Sequence, residues 1–429
     1  MQTKIKIKDT SLNFERESLY PYRFGGSAVT QLWQTAAWLQ SESGVSRVGL
    51  GTQSPLWSDG NVAGAHSENG ANALMFAMSE KALQLIKGIS FTDPMELLDS
   101  ILPEVHAYGK KITGKSDLRK TFALNSLVCI DNAAWLLYAH ENNLKTFDDM
   151  IPVEYRAGLS YRNEKVASIP SFPVGTAIEK IKAAADEGYF ILKLKTGSKG
   201  TQEEMLAQDL EFLSNVHKAI GHYETPHTKD GKIHYYIDAN GRYGSMETLL
   251  RFLDHAKKIG AFDQIAVIEE PLGQKDESYV GDVGVTIAAD ESAHTVQDAM
   301  DRVEQGYGTI VVKAIAKTLS MTLKIVQACH ERKVPCISAD LTVNPILVDW
   351  NKSIAARLAP LPMMNFGLLE TNGHQFYKNW GKLESYHPRA GAEWTQTKNG
   401  AYTTGRSFYE ESGGIFLPSE HYQSLFIEG

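Results

Sequence analysis

Residues 190–197 read FILKLKTG, and four later stretches echo the pattern: HYYIDAN at 234–240, VIEEP at 267–271, IAADES at 287–292 and TIVVKAIAK at 309–317. Each is a short apolar run that ends in charged side chains. Counting outward, the runs are 166–169, 190–195, 234–238, 267–270, 286–289, 309–312, 336–339 and 364–368. Amphipathic segments such as 174–188, 247–260, 292–306 and 320–333 separate them and are long enough for crossover helices. Eight β-then-α units in succession predict a closed parallel barrel. The polar stretch 222–232 predicts a surface insertion, and beyond about 373 the alternation stops.

The 429 residues exceed one average domain and suit two. We expect a capping domain over 1–160, a catalytic barrel over 161–375, and a segment over 376–429 that returns to the cap. Within the cap, 4–12 and 46–51 read as strands and 30–40 as a helix. Residues 55–70, rich in Gly, Ser and Asn, read as a loop, and 94–108 and 118–141 as apolar-faced helices. The net charge of -8 argues against a nucleic-acid partner. No unbroken apolar run approaches the ~20 residues of a membrane span, and the N-terminus lacks the apolar core of a secretory signal. The three cysteines, without a CxxC, suggest neither a disulfide frame nor a zinc site, and the expected location is the cytoplasm.

Active residues of such barrels lie at the C-terminal ends of strands. Lys193 and Lys195 share one strand face by period-2 spacing. Two neighbouring ammonium groups disfavour each other's charge, which moves a lysine towards the working range of a base. The next three strands end in Asp238, in Glu269 and Glu270, and in Asp290 and Glu291. Carboxylates from adjacent strands can converge on one hard, oxygen-preferring cation. The sixth strand ends in Lys313, across the mouth from Lys195, while Lys317 is expected to be solvated or at the rim.

The set KLK, DAN, EEP, ADES and a sixth-strand lysine, in that order, resembles the enolase superfamily. The segment ALNSLVCIDNAAWLLYAHENN (123–143) resembles the last helices of its capping domain. The second lysine of KLK, the sixth-strand lysine and the absence of histidine in CISADL resemble the muconate-lactonizing branch rather than the mandelate racemase branch. This resemblance implies a TIM-type (β/α)7β barrel with an α+β cap built from the N-terminal region and the C-terminal tail. It implies Mg²⁺, or Mn²⁺ in its place, on Asp238, Glu269 and Asp290. Lys195 and Lys313 would be acid/bases on opposite faces of a small carboxylate substrate, with Lys193 tuning Lys195. The reaction would abstract the proton next to the carboxylate and form an enediolate, whose charge a cation stabilises. Racemisation or epimerisation of a dipeptide or amino-acid derivative, cycloisomerisation, and a dehydratase or lyase reaction all use these parts. The resemblance also implies a homo-oligomer. One departure is that KAIAK spaces its lysines by three residues where two are usual.

For substrate contacts we expect Phe24 and Trp57 from capping loops at 20–26 and 53–61, with Asn240, Asp340, Glu370 and Asn372 from strand ends. An acid near the eighth strand could hold a substrate ammonium. Two other classes compete. GKKITGKS (109–116) fits the P-loop expression, but its flanks read helix–loop–helix where a P-loop needs a preceding strand. A non-catalytic metal-binding barrel is the other, against which the intact lysine and acid set argues. GLGTQS at 49 lacks a third glycine in register for a dinucleotide site. His217, His222 and His227 step by five residues and read as solvated.

Overall fold

The computed structural model describes residues 3–24 and 27–427, with side chains of 22–24, 27 and 28 excluded. The cap begins with β1 (Ile5–Phe24), β2 (Ser27–Ser41), β3 (Ser46–Gln53), α1 (Pro55–Ser58), α2 (Gly60–Ala65) and α3 (Glu68–Ile86). It continues with β4 (Ser90–Phe91), α4 (Pro94–Thr113), α5 (Lys120–Glu141) and α6 (Phe147–Met150). The four strands form an antiparallel sheet in the order β3-β2-β1-β4.

Two expectations fail here, and the objection to the P-loop match holds. Residues 30–40 form part of strand β2, not a helix. β2 is paired with β1 on one edge and β3 on the other. Most of it is buried on both faces, so the period-2 signal is lost and tertiary pairing overrides local pattern. Residues 55–70 are helical rather than loop. Asp59 accepts from the backbone N–H of Asn61 and Val62 to cap α2, and Ser67 caps α3. The P-loop match falls inside α4 up to Thr113, so it has no strand before it and no phosphate cradle.

α5 is the core of the cap. It is long and apolar enough to cross a membrane by length and composition, but that window is entirely buried within the protein. It lies directly against β3: a Cβ at Gly49 would sit 2.1 Å from the Ala133 nitrogen. The glycine of GLGTQS thus serves close helix–strand approach.

The barrel strands are β5 (Lys165–Ile169), β6 (Ser171–Pro173), β7 (Ile191–Lys195), β8 (His234–Asp238), β9 (Ile265–Glu269), β10 (Ile287–Ala289), β11 (Thr309–Val312), β12 (Cys336–Ser338) and β13 (Gly367–Glu370). Between them come α7 (Ile178–Asp186), α8 (Gln202–Ile220), α9 (Met246–Lys258), α10 (Val296–Glu304), α11 (Leu319–Glu331) and α12 (Pro345–Ala355). Pairing is parallel from β6 through β13. β13 then pairs with β5. β5 and β6 are one strand interrupted at Pro170, so β5 on β13 and β6 on β7 close the ring. Residues 270–286, between β9 and β10, cross without a helix.

The tail holds α13 (Gly373–Phe376), α14 (Trp380–Ser385), β14 (Thr397–Lys398), β15 (Ala401–Thr403), α15 (Arg406–Glu411) and α16 (Glu420–Ser424). β15 adds antiparallel to β5. Further on, His421 Nε2 meets Glu15 at 2.7 Å, and Asn13 donates to the Leu425 carbonyl. The tail therefore touches both the barrel and the cap.

The stretch 222–232 packs at the end where strands begin. The His227 ring lies 4.9 Å from Phe190 and 5.7 Å from Phe366, and His217 bonds the Tyr235 hydroxyl at 2.9 Å. These two histidines are half-buried against aromatic neighbours rather than fully solvated, while His222 is exposed as expected.

Candidate active site

Inter-strand register lines up the charged strand ends. Lys195 pairs with Asp238, and Asp238 with Glu269. Asp290 and Lys313 directly follow β10 and β11. Alternation along β7 turns Lys193 into the barrel axis and sets Lys195 one pleat higher. Lys193 is 1% exposed, with its Nζ 3.0 Å from Asp238, 2.7 Å from Glu269 and 3.0 Å from Glu370. Burial opposes its charge, but the three carboxylates outweigh this and hold the amine well above the usual lysine range.

Lys195 reaches Asp238 Oδ2 at 2.8 Å. Burial works against the Asp238 charge, and Lys193 and Lys195 overcome it, bringing the carboxyl down to about 2. Lys313 Nζ lies 2.5 Å from Asp290 Oδ2. Burial opposes the Lys313 charge too, and Asp290 and Glu269 raise it above the usual range. Lys317 corrects an expectation. It is not solvated: it is 0% exposed and donates to the carbonyls of Asp290 at 2.8 Å and Val311 at 3.2 Å. Its Nζ also lies 3.3 Å from Asp290 Oδ1. The extra residue in KAIAK forms a tight turn, Lys317 N–H to Lys313 carbonyl at 2.7 Å, that sends this side chain inward.

Glu269, Asp290 and Glu291 each place one carboxylate oxygen within 4.8 Å of the others. Among the described residues no other group of three or more His, Cys, Asp or Glu does so. Glu269 Oε1 and Glu291 Oε2 are buried and accept no hydrogen bond among the described residues, while the buried Asp290 Oδ1 faces the Lys317 ammonium at 3.3 Å. Burial, then Asp238, raises Glu269 to about 8, and burial, then Asp290, raises Glu291 well above the carboxylate range. Asp290, by contrast, is held against its burial well below the carboxylate range by Lys313 and Lys317. Crowded buried oxygens, those of Glu269 and Glu291 without donors and on acids that are hard to ionise, fit a small hard dication. Glu291 was not among the expected ligands. Its signal was its place beside Asp290 in ADES. Asp238 lies beside this cluster with Oδ2 on the two lysines and Oδ1 on the Asn240 N–H.

Glu270 is structural. Its Oε1 accepts from the Asp290 and Ser292 N–H groups and the Ser292 hydroxyl, each within 2.7 Å. Asn240 and Glu270 follow β8 and β9 with left-handed φ of 47° and 39°. Such strained positions in non-glycine residues cluster at functional sites.

Trp57, Asp340, Glu370 and Asn372 line the same cavity as the lysines and acids. Trp57 is 4% exposed, and its ring lies 4.7 Å from Lys313 Nζ. Glu370 is spent partly on Lys193. Asp340 accepts backbone N–H from Leu341, Val343 and Asn372, so it holds the loop rather than offering a free carboxylate. Asn240 turns its amide to Glu291 at 3.1 Å and lines a neighbouring cavity instead. Phe24 ends β1, and its side chain lies outside the described residues. Val29, Ser54, Leu56, Leu341 and Thr342 complete the lining, and no polar motif marked them in the sequence.

Residues 176–374 match the family model described as Enolase C-terminal domain-like. A hydrophobic dipeptide epimerase of Enterococcus faecalis is 24% identical over 267 residues, which is 56% of this chain and 66% of that protein. The crystal structure of a dipeptide epimerase from E. faecalis V583, complexed with Mg and L-Leu-L-Tyr, superposes with a TM-score of 0.62 at 18% identity, covering 87% of this chain and 92% of that one. A mandelate racemase/muconate lactonizing protein from Herpetosiphon aurantiacus gives 0.65 at 16% identity, covering 93% and 95%. Residues 176–374, the barrel from α7 through β13, thus match the Enolase C-terminal domain-like family, and the chain as a whole shares the fold of these dipeptide epimerase and mandelate racemase/muconate lactonizing protein structures.

Proposed function

We propose that this chain is a divalent-metal-dependent isomerase that moves the proton on the carbon next to a substrate carboxylate, with dipeptides or N-acylamino acids as the first substrates to test. The observation that carries the reading is the placement of the two lysines. In a ring of eight strands, β7 with Lys195 and β11 with Lys313 stand four strands apart, and the carboxylates of the strand ends between them fill the intervening arc. A substrate bound against those carboxylates presents one face to each lysine. The relatives named as dipeptide epimerases support the same reaction class.

Glu269, Asp290 and Glu291, with Asp238 beside them, would hold Mg²⁺, which supplies positive charge to the substrate carboxylate as the α-proton leaves. Lys195 and Lys313 act from opposite faces. One takes the proton and the other returns one, which inverts the carbon. Lys193, clamped by three acids, stays protonated and adds fixed positive charge beneath the reacting carboxylate. Trp57 closes the site from the cap and keeps water from Lys313.

The test is proton exchange in D₂O with Mg²⁺ over a panel of dipeptides and N-acylamino acids, followed by NMR. We expect loss of the α-proton signal that EDTA abolishes, with Lys195→Ala and Lys313→Ala each lowering it by about 10²–10⁴-fold. A folded Lys195 or Lys313 variant with full exchange would overturn the assignment.

A further inference from the structure

Beside the catalytic cavity lies a second one of about 790 Å³, its open mouth included. The two share Leu56, Trp57 and Glu291 as a common wall. Arg119, at the N-terminus of α5, and Arg242, in the turn after β8, both line this second cavity, one from the cap and one from the barrel. Neither guanidinium forms a salt bridge among the described residues. Arg242 gives one hydrogen bond, from Nη2 to the Ser198 carbonyl at 3.3 Å. The Arg119 backbone N–H bonds Asp59, while its guanidinium donates to no acceptor among the described residues.

The acids that reach this cavity are committed elsewhere. Glu270 spends its Oε1 on three donors around Asp290 and Ser292. Glu291 belongs to the buried carboxylate triad and is held there by Asn240. Arg119 has no salt bridge among the described residues, and Arg242, which lies in the field of the buried Asp209, has none within 4 Å, so both guanidinium groups bring positive charge to the wall of this cavity. Each guanidinium offers a fork that matches a carboxylate.

We propose that Arg119 and Arg242 form an anion subsite contiguous with the catalytic cavity, so that the preferred substrate carries a second carboxylate in addition to the one beside the reacting carbon. This rests on the placement of the reacting carboxylate given under Proposed function. The second carboxylate is held by one arginine from each domain, at the rim that Leu56, Trp57 and Glu291 share between the two cavities. Binding of such a substrate therefore also fixes the cap on the barrel.

The subsite is tested by calorimetric titration of the Mg²⁺-loaded protein with a series of dicarboxylates from succinate to pimelate and with their mono-amides. We expect one chain length to bind at least about ten-fold more tightly than its mono-amide. Arg119→Met and Arg242→Met, made singly, each erase that difference and leave the mono-amide's affinity unchanged. Equal affinity for diacid and mono-amide at every length, or a preference that both folded variants keep, would overturn the subsite. The D₂O exchange assay separates this from the reaction itself. Diacid preference without exchange sinks the isomerase reading and keeps the subsite. Exchange of neutral and acidic substrates at equal rates, unaltered in both variants, does the reverse.

Discussion

The indole N–H of Trp57 donates to Oδ2 of Asp290 at 3.2 Å, tying a cap helix to a carboxylate of the barrel mouth. The same oxygen meets Lys313 Nζ at 2.5 Å. Trp57 therefore shares the charge that holds Lys313. Trp57→Phe keeps the ring and removes the donor, which leaves Asp290 to bind Lys313 more tightly. We expect kcat for α-proton exchange to fall about ten-fold. Trp57→Ala, which also empties a buried site, should cost about 3–5 kcal/mol in denaturant unfolding. Unaltered kcat in Trp57→Phe would show that the bond is incidental.

Lys317 is a buried cation that ties Asp290 to β11. Replacement by Met leaves two carbonyls and one carboxylate oxygen without it. Breaking a buried pair from one side costs about 3–5 kcal/mol. Guanidinium titration of Lys317→Met should register a loss of that order. A variant as stable as the parent would place Lys317 at the rim, as the sequence pattern first suggested.

Glu291→Gln removes one carboxylate from the triad and keeps its shape. Changes at groups that ligate or orient ligands commonly lower metal affinity about 10–100-fold. We expect Mg²⁺ titration to weaken by about ten-fold, with no fall in the Tm of the metal-free protein, because a crowded buried acid is relieved. Unaltered affinity would return the third ligand to Asp238 alone.

Asp131 of α5 accepts the Ser320 N–H at 3.1 Å and the Ser320 hydroxyl at 2.5 Å, joining the cap core to the start of α11. Burial raises its carboxyl to about 7, and the Ser320 bonds only partly offset this. The folded protein then binds a proton here between about pH 4 and pH 7 that the unfolded chain releases. This group's contribution to stability therefore falls as pH rises through that window. Asp131→Asn removes the slope. Relative to the parent, the variant should gain up to a few kcal/mol between pH 5 and pH 8 in urea unfolding. A difference independent of pH would refute the shifted carboxyl.

Eight barrel strands were legible because each is a short apolar run between amphipathic helices, and the charged residues at their ends stood out against that background. Lys193, Lys195, Glu269, Asp290 and Lys313 meet as their strand positions required. The cap was read less well. β2 is central and covered on both faces, so it carries no alternation to distinguish it from a helix. The helices of 55–70 depend on capping by Asp59 and Ser67 in a stretch whose composition suggests a loop.

What the sequence alone determined is the order of strands and the identity of the strand-end charges, since period and register are local properties that a barrel converts directly into position. What only the tertiary structure decided is which of those charges are spent on one another. Asp340 is consumed by backbone N–H groups, Glu370 leans on Lys193, Lys317 turns inward and Glu291 joins the triad. Hydrogen bonding and Coulomb attraction between residues far apart in the chain act only once burial has removed water from between them, so no reading along the sequence contains that outcome.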